Sequence, residues 1–205
     1  MKKQIKISLL IMLLLISTTV LVKKTSSSFT SKDDVNNIIN IGDVDIEVSE
    51  KFTIPENWDG KEYPKIVQIE NKSKSKALIR VAILPRWVDK SGNTWAGDTK
   101  IVVLNYENKN IIASPSTTPK DKWVDGKDGY YYYNTIVPME DTTVAILNSV
   151  SASIPENLKE RYKDKTLIVD VKAEAVQATN DAYKKTWSNI NNNDLLKMLD
   201  DLCNR

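Results

Sequence analysis

From Gly42 to Thr179 apolar and polar residues alternate in repeated short runs, the period-two signature of half-buried strands. Val44, Ile46 and Val48 fall on one face and Asp43, Asp45 and Glu47 on the other, which predicts a strand with one wet side. Residues 66–70 repeat the pattern, and the polar stretch 71–76 reads as a turn into residues 77–84. That run is apolar on both faces apart from Arg80, so it predicts a central strand, ended by Pro85. Gly92-Asn93 and Gly97-Asp98 mark turns in a short segment that carries Trp87 and Trp95, and residues 101–106 predict a further strand. Residues 114–119, rich in Ser, Thr and Pro, read as a loop.

WVDGKDGYYYYN, residues 123–134, predicts a hairpin with Asp125-Gly126 and Asp128-Gly129 as turn positions. Tyr130, Tyr131, Tyr132 and Tyr133 put two rings on each face, so at least one pair is expected to be exposed; β-propensity and core packing account for such a run, and the alternative is an aromatic contact with a neighbouring subunit. Residues 143–147 predict a strand. The longest alternation is residues 167–179, with Leu167, Val169, Val171, Ala173 and Ala175 on one face and Asp170, Lys172 and Glu174 on the other. The spacing Ser153-x-x-Glu156, with Pro155 at the first helical position, predicts a capped short helix over residues 157–162. Asn193 is the expected cap of an amphipathic helix over residues 194–202. About eight strands without strand–helix alternation predict an all-β fold, an antiparallel jelly-roll-like β-sandwich with short peripheral helices.

The N-terminus follows a different pattern. Lys2, Lys3 and Lys6 precede an apolar run over residues 7–22, which as a helix spans about 24 Å, short of the roughly 30 Å of a hydrocarbon core. Lys23 and Lys24 resemble a stop-transfer flank, but the length favours a cleavable leader. Ser26 and Ser28 supply the small residues that a signal peptidase requires, so cleavage is expected between Ser28 and Phe29. The expected product is secreted, and it meets the membrane only through the leader. The leader carries five of the 29 basic residues and none of the 27 acidic ones, leaving the remainder net acidic by three. That balance gives no basic face for nucleic acid.

Histidine is absent from all 205 positions, which removes His-dependent nucleophile activation and imidazole-bound zinc. Cys203 is the one cysteine, so no intrachain disulfide can form. No phosphate-cradling glycine loop is present, and Asp43, Asp45 and Glu47 lack the spacing of a calcium loop. No catalytic residue, cofactor or metal site is expected.

Taken in order, SSFTSKDDVNN, IGDVDIEV, IVQIENKSKSKALIRVAI, WVDGKDGYYYYN and VKAEAVQATNDAYKKTW resemble the TasA/camelysin family of secreted biofilm-matrix proteins, and most of all its clostridial, pilin-like BsaA branch. The similarity runs over residues 27–187. It implies a jelly-roll domain released by a SipW-type signal peptidase and polymerised with copies of itself into extracellular fibres. The missing histidine sets aside the metallopeptidase activity ascribed to camelysin.

These readings divide the chain into a signal peptide (1–28), a donor-strand segment (29–41), a jelly-roll domain (42–187) and a helical tail (188–205) that lies outside the resemblance. In the donor segment Phe29, Val35, Ile38, Ile39 and Ile41 are the residues available to fill a neighbour's slot. Lys32 lies among them. At the rim of the slot it stays solvated; desolvated, its neutral amine is a candidate for an isopeptide bond between subunits. Two other classes fit the same sequence: a surface adhesin that does not self-assemble, and a carboxylate-dependent surface hydrolase.

Overall fold

The computed structural model of the chain describes residues 37–41, 44–51, 60–179 and 182–204. Among them are eleven strands, β1 (Asn37–Ile41), β2 (Ile46–Lys51), β3 (Tyr63–Asn71), β4 (Ala77–Val88), β5 (Thr94–Trp95), β6 (Val102–Tyr106), β7 (Ile111–Ile112), β8 (Trp123–Asp125), β9 (Tyr131–Tyr133), β10 (Leu147–Ala152) and β11 (Thr166–Gln177). Three short α-helices accompany them, α1 (Lys159–Tyr162), α2 (Ala182–Thr186) and α3 (Asn193–Cys203). Seven strands form sheet A in the order β1-β11-β4-β9-β8-β7, with β5 against the end of β4. Sheet B is four-stranded, β2-β3-β10-β6. The fold is an all-β sandwich with short helices.

The inner core is built from the alternation itself. Val44, Ile46 and Val48 are buried while Asp45, Glu47 and Ser49 are exposed. Val67 and Ile69 of β3 meet Ile79 and Val81 of β4 and Val169, Val171, Ala173 and Ala175 of β11 between the sheets. A second apolar cluster lies on the outward face of sheet A, where Leu78, Val124, Tyr132 and Val176 pack under Tyr183, Trp187, Ile190 and the apolar stripe of α3. This third, helical layer explains why residues 77–81 are apolar on both faces. Leu84, further along the same outward face, is 53% exposed.

Several expectations are corrected. β4 does not stop at Pro85, which pairs with Val169, but runs on to Val88. Between Val81 and Trp87 no described strand pairs with β4 on the side away from β11, so a residue without an amide hydrogen is tolerated there. The strand expected over residues 143–147 begins only at Leu147. Before it the backbone already bonds to β3 through Thr143 N to Ile69 O and Ile146 N to Val67 O, an irregular approach and not a ladder. Residues 156–162 form a 3₁₀ turn and then α1, without a capping box: Ser153 N donates to Ile101 O, and no side chain caps Glu156–Leu158. The cap of α3 is Asn192, one residue before the expected Asn193; its side chain accepts from Asp194 N and Leu195 N. Two pairings, β1 with β11 and β7 with β8, are parallel in an otherwise antiparallel fold.

Candidate functional site

The residues that end β11 belong to two layers at once. Its alternation turns Ala173 and Ala175 into the inner core and leaves Lys172, Glu174 and Val176 on the outward face. On its open side β11 receives β1 in parallel, with Asn37 against Lys172, Ile39 against Glu174 and Ile41 against Val176. β1 is the terminal strand of sheet A, whereas β2 is an edge of sheet B, so the chain crosses between sheets from Ile41 to Ile46. The residues after β11 lead at once into α2 and α3.

Strand register lines up one residue per strand across sheet A: Ile39, Glu174, Arg80, Tyr132, Val124 and Ile112. In the β1 half of this row sits a buried ion cluster. Arg80 and Glu174 are each 5% exposed, and Arg80 Nε and Nη2 donate to Glu174 Oε2 at 2.9 and 2.6 Å. Arg80 Nη1 donates to Tyr132 Oη at 3.0 Å and to Asn189 Oδ1 at 3.3 Å. The guanidinium carbon lies 4.0 Å from the Tyr130 ring centre and 4.9 Å from that of Trp187, so two aromatic faces enclose the cation. Glu174 Oε1 accepts from Tyr130 Oη at 2.7 Å and pairs with Lys172 Nζ at the same distance. Tyr132 Oη in turn donates to Asp128 Oδ2 at 2.7 Å.

Burial pushes the Glu174 carboxyl up, but hydrogen bonds from Lys172, Tyr130 and Arg80 outweigh it and hold the group below its ordinary value of 4.5. The bond to Glu174, with that to Tyr130, raises Lys172. Burial raises Tyr132 and Tyr130, so both stay protonated donors at neutral pH. Trp187 Nε1 is buried and has no hydrogen-bond partner among the described residues. Its indole serves the cluster through its face and its bulk.

Ile38, Ile39 and Ile41 of the expected donor segment lie in β1, seated on the chain's own β11. Ser26, Ser28, Phe29, Lys32 and Val35 lie outside the described residues. None of the four tyrosines is exposed, which corrects the expectation of an exposed pair. Tyr131 and Tyr133 pack with the inner core, while Tyr130 and Tyr132 lie on the outward face beneath the tail. The periodicity divides them two and two, but it does not reveal the layer that covers the outward pair. Sequence reasoning passed over Glu174, Lys172, Trp187 and Asn189. The available signal was Arg80, a lone cation in an apolar run.

The arrangement seats β1 on β11 and neutralises the buried Arg80 guanidinium beside it. Among the described residues no three His, Cys, Asp or Glu side chains are grouped to hold a metal ion. No helix among them is long and apolar enough to cross a membrane. No family model, curated protein or solved structure matches the chain.

Proposed function

We propose that the chain is a secreted structural subunit of the TasA/camelysin kind, polymerising head to tail by donor-strand exchange into extracellular biofilm-matrix fibres. The observation that carries this reading is β1, a five-residue parallel edge strand supplied by the segment just after the leader. Its backbone bonds are made to residues 172–176, and the same bonds form whether β1 comes from the same copy or from another. A subunit with one strand to give and one edge to receive makes a heterologous contact, which extends without closing.

In this role a SipW-type signal peptidase frees Phe29, copies of the chain are the partners, and neither a catalytic residue nor a cofactor takes part. Electron microscopy of purified chains tests it. A chain beginning at Phe29 is expected to form fibres, and one beginning at Gly42 to remain folded and dispersed. Normal fibres from the chain beginning at Gly42 would overturn the donor-strand role.

A further inference from the structure

The tail that follows β11 is more than a cover. Residues 172–176, which receive β1, stop one residue short of the end of β11, and four residues separate Gln177 from α2. Val176 and Gln177 pair with Leu78 and Ala77, and Ala178 N donates to Lys76 O at 2.9 Å, so the end of β11 is held flat on β4 up to the point where the tail begins. The tail then folds back over the same stretch of sheet. Trp187 stacks on Arg80 and meets Tyr132 edge-on at 5.8 Å, and Asn189 accepts from Arg80, which holds Glu174 on β11 beside the β1 register. The tail therefore grips the receiving end of β11 twice, through the chain and through the ion cluster.

We propose that the C-terminal tail, residues 182–204, is a latch on the edge that receives β1. Docked, it keeps residues 172–176 registered on β4 and β1 seated; released, it lets that end of β11 fray and β1 leave. This inference rests on the reading of β1 as the exchanged strand, and it gives the tail control over when exchange occurs. The device acts through local opening, whose free energy is lower than that of global unfolding and is set by the contacts that close each segment.

Hydrogen–deuterium exchange on the purified monomeric full-length protein tests the latch without reference to fibres. Trp187→Leu keeps an apolar side chain on the tail but removes the face stacked on Arg80, and Leu202→Ala loosens the apolar stripe of α3, which makes no bond to Arg80 or Glu174. Both are expected to speed exchange at residues 37–41 and 172–176 by about tenfold relative to residues 67–71 of β3. Val150→Ala, a truncation in the inner core of sheet B, is the control and should leave that ratio unchanged while lowering overall stability. If Trp187→Leu does not fold, Leu202→Ala carries the test alone. An unchanged ratio in the tail variants, or an equal rise in the control, overturns the latch. Selective exchange in a chain that never forms fibres would keep the latch and remove the polymerisation reading.

Discussion

Arg80 and Glu174 form a buried pair whose value lies in being complete. With all three guanidinium nitrogens of Arg80 bonded to Glu174, Tyr132 or Asn189, breaking the pair strands a cation in an apolar layer. Glu174→Gln is therefore expected to lower stability by about 3–5 kcal/mol in chemical denaturation, against a much smaller effect from Glu47→Gln on the exposed face of β2. The sign of the pH dependence follows from the direction of the shift. Glu174 titrates below its ordinary 4.5 in the fold, so its contribution is fully present above that value and is lost as pH falls through the folded pKa. An acid titration of the Gln variant should lack that part of the loss, while Asp89, Glu107, Asp125, Asp164 and Asp200, which are also lowered, retain theirs. The sequence displayed Arg80 as an anomaly but hid its partner, because Glu174 sits in a regular alternation and looks like any solvated strand residue.

At the scale of elements, α3 is held by its cap and by the layer beneath it. Asn192→Ala removes the acceptor for two backbone amides and is expected to cost about 1 kcal/mol, read as a shift in the thermal midpoint, whereas Asn193→Ala should be near neutral. Strand and helix identities were largely legible in the alternation: β2, β3, β4, β6, the β8–β9 hairpin, β11 and α3 all follow from it. Boundaries were less so. Pro85 read as a stop because the sequence does not say on which side a strand lacks a neighbour, and three successive asparagines gave no ground for choosing the cap. The parallel seating of β1 on β11 was illegible, since two segments so far apart in the chain meet only through the completed sheet.

At the scale of the whole molecule, the proposed exchange implies a subunit that gives one strand and receives one, and so has two ends that can be blocked separately. A chain beginning at Gly42 retains its receiving edge and has nothing to pass on, so it should act as a terminator. Mixed at about one part in ten with the chain beginning at Phe29, it is expected to shorten the fibres seen by electron microscopy without reducing the fraction of soluble, folded protein. The sequence reading reached the sandwich and its short peripheral helices but did not say which sheet the helices cover. The third layer was hidden because covering residues and covered residues, such as Trp187 and Tyr132, lie on opposite sides of the turn after β11. That third layer has a consequence for neighbours. The tail covers the outward side of sheet A around Leu78, Tyr132 and Val176, while the outward side of sheet B carries charge, with Glu47, Glu70 and Lys72 joined in ion pairs at the surface. Stacking sheet on sheet between adjacent molecules would require desolvating those charges. In the fibre proposed above, such subunits would add length without adding girth.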